Sequence, residues 1–279
     1  MSEVFAGLVT HARSSFNADG AATAQLDALA AGLRERGLSV DTIVSDRDDY
    51  DAARWPLTRG EIARSAVSEV LLEHRWRRYL AAGGGRPARP GWWDAMVTGA
   101  MLVRRVARAR RAMCVRLVNI DLSHLRVMTA AQDAGARWTL ILEDDARASD
   151  VDAVAARLAD LLPLLEASDI EFVNLSESLP LSTLRVEGII GGPALPDGPA
   201  WLVGARRPVT NTVCATLYRD TLLREIRTGI EDRGLVPVVP IDWRVNEQVM
   251  RLVDDRRMGP QSCAWVRPGP FLQGSMHAG

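Results

Sequence analysis

The chain has 279 residues, 47% of them hydrophobic, with 34 basic and 35 acidic residues for a net charge of −1; this suits one large α/β domain with or without an insertion, and argues against a nucleic-acid partner. All 34 basic residues are arginine, which excludes a P-loop lysine, a pyridoxal phosphate Schiff base and the strand lysine of a protein kinase. Cys114, Cys214 and Cys263 are widely spaced with no CxxC, so neither a disulfide framework nor a cysteine zinc site is expected, and a reducing cytosol fits.

The first residues carry Glu3 and a short apolar run, and no apolar stretch of about 18 residues follows, so neither a signal peptide nor a membrane span is expected. Residues 4–9 read as a buried strand. Leu26, Leu29, Ala30 and Leu33 then recur at helical spacing up to Gly37, and residues 39–44 form a second strand ending at Ser45 and Asp46. That strand, helix, strand order opens an α/β fold. Over 57–82, Ile62, Ala63, Ala66, Val67, Val70 and Leu71 trace one face of a long helix. The glycine- and proline-rich stretch 83–91 reads as a loop. It opens with G-x-G-x-x-A, yet it follows a helix and contains Pro87, which speaks against a dinucleotide fingerprint.

Residues 92–113 are expected as one helix, with Trp92 and Trp93 at one end and Arg104, Arg105, Arg108, Arg110 and Arg111 at the other. Two readings stand: a solvated basic face, or a contact with a membrane surface or anionic ligand. Then follow a helix over 122–134, a strand over 138–142, an amphipathic helix over 151–165 with Asp150 placed to cap it, and a strand over 170–175. The glycine- and proline-rich stretch 188–204 is expected to be a loop that closes over substrate. A strand over 212–218, helices from Asp220 and from about Arg244, and a last strand over 263–266 complete a single domain of residues 1–279, with 55–115 as a helical insertion.

The chemistry concentrates in Leu140-Ile141-Leu142-Glu143-Asp144-Asp145-Ala146, where a buried apolar strand runs into three carboxylates. Residues i and i+2 of a strand share a side, so Glu143 and Asp145 are expected to grip one Mg²⁺ or Mn²⁺ while Asp144 faces away. The bland alternative is that the acids cap the helix that follows.

Leu122-Ser123-His124-Leu125-Arg126, followed 19 positions after His124 by Glu143 in Leu140-Ile141-Leu142-Glu143-Asp144-Asp145-Ala146, resembles the SHL and LILEDDA signature of glycosyltransferase family 25, whose members include lipopolysaccharide sugar transferases. Pro240-Ile241-Asp242-Trp243 is similar to the family's PxDW segment. The resemblance implies a GT-A fold, a Rossmann-like mixed sheet that binds a nucleotide-diphospho-sugar, with a helical insertion. It implies that Glu143-Asp144-Asp145 is the D-x-D metal motif, that Asp242 is the base acting on the acceptor hydroxyl, and that His277 completes the metal shell. Asp242 also fits a helix cap, His277 a terminal tail, and His124 either a donor contact or a core histidine.

In open α/β sheets ligands sit beyond the carboxyl ends of the strands. Thr10, Arg13 and Asp46 therefore become donor candidates, His124 and Asp144 join them, and Arg126 is a candidate diphosphate contact. The expected activity is a cytoplasmic, metal-dependent, inverting sugar transfer from a nucleotide diphosphate to a hydroxyl or amine of a glycan, lipid-linked or small-molecule acceptor, with peripheral contact at the inner membrane face through residues 92–113. The alternatives are a metal-dependent nucleotidyltransferase acting on a sugar phosphate and a non-catalytic nucleotide-binding relative.

Overall fold

The computed structural model describes residues 3–10, 14–46, 49–81, 92–177, 190–205, 213–259 and 262–274. Among them an eight-stranded mixed sheet runs in the order β2-β1-β3-β9-β5-β10-β8-β7. Its strands are β1 (Val4–Val9), β2 (Val40–Ser45), β3 (Trp138–Glu143), β5 (Phe172–Asn174), β7 (Ile190–Pro193), β8 (Leu202–Ala205), β9 (Ala215–Arg219) and β10 (Cys263–Val266). β1 pairs in parallel with both β2 and β3, whereas β9 runs antiparallel to β3 and β5.

Both faces of this sheet are covered, which explains the unbroken apolar runs of β1 and β3. Val4, Ala6 and Leu8 of β1, with Trp138, Leu140 and Leu142 of β3, pack under α1 (Ala21–Glu35) and α5 (Val151–Glu166). Phe5, Val9 and Ile141 point the other way, toward α4 (Arg111–Asp133), the helix we label α6 (Asp220–Arg233) and the helix we label α7 (Ile241–Asp254). At Gly7 a Cβ would lie 2.2 Å from Val127 Cγ1, so the absence of a side chain is what lets α4 settle on β1. Asp150 caps α5 as expected, accepting from Ala153 N at 2.9 Å.

α2 (Arg59–Ala81) and α3 (Trp92–Arg108) form the helical segment between β2 and α4. They are tied by Thr98 Oγ1 to His74 Nδ1 at 3.1 Å and by the Arg105–Glu69 ion pair. The single helix expected over 92–113 is broken: Arg110 is extended (φ −133°, ψ 141°), and α4 begins at Arg111, eleven residues before the expected start. No glycine or proline marks this break, so local pattern alone does not reveal it.

A second, three-stranded sheet, β4 (Ala146–Ala148), β11 (Phe271–Gln273) and β6 (Ser176–Glu177), lies beside the first, and sequence patterning does not anticipate it. The described part of the expected 188–204 loop is also different, being the β7–β8 pair at the sheet edge; edge strands accept the glycines and Pro193 that a central strand would not. The 83–91 loop lies outside the described residues. Among the described residues no helix is long and apolar enough to cross a membrane.

Candidate active site

Val9 is in register with Ser45 on one side and Glu143 on the other. The carboxyl ends of three parallel strands therefore fall on one line, and the residues just beyond them share one edge of the sheet. Thr10 N donates to Ser45 O at 3.0 Å, and Asp144 N to Val9 O at 3.0 Å. Thr10 Oγ1 donates to Asp144 Oδ2 at 2.8 Å. Arg126, reaching over from α4, donates from Nη1 to Ser45 Oγ at 3.0 Å and pairs with Asp49. Thr10, Arg126 and Asp144 thus come together, and exposed Asp46 follows Ser45 at the same edge. Arg13 lies outside the described residues.

The acidic run does not keep the alternation expected of it. β3 ends at Glu143, and Asp144 and Asp145 make the turn into β4. Because the backbone reverses there, Glu143 and Asp144 keep solvent contact while Asp145 is buried. The strand alternation behind the expectation that Glu143 and Asp145 share a side while Asp144 faces away thus ends at Glu143, with Asp144 and Asp145 in the turn. Asp145 is fastened on two sides: its carbonyl accepts from Gly274 N at 2.7 Å, and its carboxylate accepts from the Cys214 thiol. Burial, followed by the charges of Asp145 and Glu143, pushes the Cys214 thiol far above its ordinary range. It is a neutral donor there, unsuited to nucleophilic work. His277 lies outside the described residues; Gly274, three positions earlier, is the described point at which the C-terminal strand meets the acidic turn.

His124 is fully buried, so it does not line the crevice as a donor contact. Its Nε2 lies 3.2 Å from Glu143 Oε1, whose side chain is 22% exposed, so its reach into the site runs through Glu143. One helical turn back on α4, Asp121 is also fully buried. Asp121 Oδ2 accepts from Arg244 Nε at 2.7 Å, and Arg244 donates further to the carbonyls of Leu235 and Pro237 at 2.9 and 3.0 Å. Burial raises the Asp121 carboxyl to about 6 against the opposing pull of Arg244. This pair joins α4 to α7 across 123 positions of sequence, and sequence analysis missed it because no local pattern carries so long a pairing.

Asp242 lies in the first turn of α7, which starts at Ile241 behind Pro240 and not near Arg244 as expected. Proline at a helix entry supplies a suitable φ and no unmet N–H. Burial, opposed by a hydrogen bond from the Trp243 backbone and reinforced by the charges of Glu143 and Asp121, raises the Asp242 carboxyl from 3.8 to about 7. The influence of Glu143 puts Asp242 within electrostatic reach of the acidic turn. A carboxylate with that affinity is matched to taking up a proton near neutral pH.

Among the described residues no three His, Cys, Asp or Glu side chains converge into a ready-made metal cage. The donor set nonetheless fits a hard divalent ion, because Mg²⁺ is commonly held by one or two carboxylates with waters and substrate phosphates completing the shell. Glu143 and Asp144 are the partly exposed carboxylates at the strand end. No protein-family model matches the chain, and no curated protein does.

Proposed function

We propose that this chain is a GT-A-type glycosyltransferase that moves a sugar from a nucleotide-diphosphate donor to an acceptor hydroxyl, acting in the cytosol. The observation that carries the reading is the pairing of two unlike carboxylate sites: partly exposed acids at the end of β3, and, within the field of Glu143, the Asp242 carboxyl with a proton affinity near neutrality. Such a division separates a charge-holding function from a proton-accepting one.

In this reading the donor lies along the carboxyl edge of β1, β2 and β3. Thr10 holds Asp144 in place, His124 holds Glu143, and Arg126 sets positive charge at the rim for the diphosphate. A divalent ion held by Glu143 and Asp144 would offset the charge of the departing diphosphate. Asp242 accepts the proton of the acceptor hydroxyl as its oxygen bonds to the anomeric carbon. The bond from that carbon to the diphosphate breaks, and the electron pair leaves with the nucleotide. Attack from the Asp242 side gives inversion. Trp243, edge-on to Trp76 at 5.3 Å, fixes the start of α7 and so the direction in which Asp242 approaches.

The test is a panel of UDP, GDP, TDP and CMP in a thermal melt with and without Mn²⁺, followed by chromatographic detection of nucleotide released from the matching sugar donor. One nucleotide should stabilise the chain only when metal is present, since a ligand at a hundredfold its Kd adds about 2.7 kcal/mol. No shift with any nucleotide at millimolar concentration, and no donor turnover, would refute the reading.

A further inference from the structure

Trp92, Met96, Gly99, Val103 and Val106 recur along α3 at intervals of four, three, four and three residues, which places them on one face of the helix. Core-facing helices show this pattern, yet here the side chains keep a large accessible surface: Trp92 is 72% exposed, Met96 58%, Val103 73% and Val106 38%. The helix already has its packing partner on the other side, where Thr98 and Arg105 bind His74 and Glu69 of α2. The exposed stripe is therefore an additional surface that burial in this fold does not explain. Isolated exposed apolar residues need no account; a continuous stripe of them does.

The charge around the stripe selects its occupant. Residues 92–113 include five arginines, Arg104, Arg105, Arg108, Arg110 and Arg111, against one acidic residue, Asp94. Arg104, Arg108 and Arg111 are exposed beside or just beyond the stripe, as is Met113. A second copy of the chain would bring the same arginines to the contact. A nucleic acid would meet the arginines and leave the apolar side chains in water. An anionic bilayer satisfies both features, with acyl chains under the stripe and headgroup phosphates beside the guanidinium groups.

We propose that α3 is a membrane-surface anchor, lying in the interfacial plane of an anionic lipid bilayer with Trp92, Met96, Val103 and Val106 buried among the lipids and Arg104, Arg108 and Arg111 against the headgroups. α2 packs between this helix and α7, through Trp76 against Trp243 at 5.3 Å. The anchor thus stands one helix away from the element that carries Asp242. On the transferase reading, that arrangement presents the site to a lipid-linked acceptor; the anchoring itself does not depend on that reading.

The experiment is flotation of the full chain with vesicles of phosphatidylcholine alone and of an equal mixture of phosphatidylcholine with phosphatidylglycerol. Binding is expected to the mixed vesicles, to be weak on the neutral ones, and to fall steeply with added salt. Arg104→Gln with Arg108→Gln should weaken it on the order of tenfold or more, as expected for two interfacial arginines, and Met96→Asp with Val103→Asp should abolish it. Because all four positions are exposed, circular dichroism melts of these variants should match the parent, and donor turnover in solution should be unchanged. No binding to the mixed vesicles would overturn the proposal. So would binding indifferent to both double variants, or sedimentation showing a dimer that Met96→Asp with Val103→Asp dissociates.

Discussion

Replacing Asp242 by Asn should make the protein more stable at pH 8 while removing its activity. The carboxyl stands at about 7 in the folded chain against an ordinary 3.8, raised chiefly by burial. Below pH 3.8 folded and unfolded forms both hold the proton, so the residue leaves stability unchanged. Between that value and about 7 only the folded form holds it, so the stability of the parent declines as pH rises. Above pH 7 the full penalty applies. At 1.36 kcal/mol for each pH unit, about three units give ~4 kcal/mol, and solvent contact at Asp242 reduces this to ~2–4 kcal/mol. Asn cannot ionise, so Asp242→Asn escapes that cost. For a chain of this size the gain corresponds to a rise in Tm of ~4–7 °C at pH 8, shrinking toward zero near pH 4. Calorimetric scans of both proteins across that range read the effect directly. A variant that melts with or below the parent at pH 8 would refute the claim that the Asp242 charge is held at a cost. Turnover that survives the substitution with an unchanged pH profile would refute its role as base.

Other outcomes follow from the same geometry. The acid limb of kcat/KM should titrate near pH 7, with activity rising as Asp242 ionises, and stopped assays from pH 5 to 9 would reveal it. Arg244→Met should cost ~3–5 kcal/mol in urea unfolding because it leaves Asp121 charged and buried without its partner; Asp121→Asn combined with it should recover part of that loss. Glu143→Ala and Asp144→Ala should each abolish metal-dependent nucleotide stabilisation, with the metal-free melt lowered by ~1–3 kcal/mol because each leaves a buried partner, His124 or Thr10, without its hydrogen bond. Gly7→Ala should lose ~1–3 kcal/mol in thermal unfolding, because the added methyl would collide with Val127.

Long, doubly covered or strongly periodic elements were legible in the sequence. β1 coincides with residues 4–9 because every one of its side chains is buried, and α5 with its Asp150 cap follows a stripe of valines and leucines that only a helix aligns. The acidic run was rightly read as a strand end, and the loops that follow β1 and β2 as lying at one edge of the sheet. The elements missed were those with too few residues to show a period. β4, β6 and β11 have three, two and three residues, and their existence depends on pairing with one another. The α3–α4 break was missed for a different reason, since arginine and alanine favour helix on both sides of it.

The sequence by itself therefore determined which segments are buried, where the carboxylates leave the core, and which chemistries lysine-free composition forbids, because hydrophobic period and residue inventory are local properties. Tertiary structure decided how those carboxylates divide their work. The backbone reversal after Glu143 turns Asp145 toward Cys214 and leaves Asp144 beside Thr10, and the packing of α7 against α4 brings Asp242 into the field of Glu143. Those relations join residues about 70 to 130 positions apart, and only the completed fold supplies the burial and proximity that raise the Asp242 carboxyl.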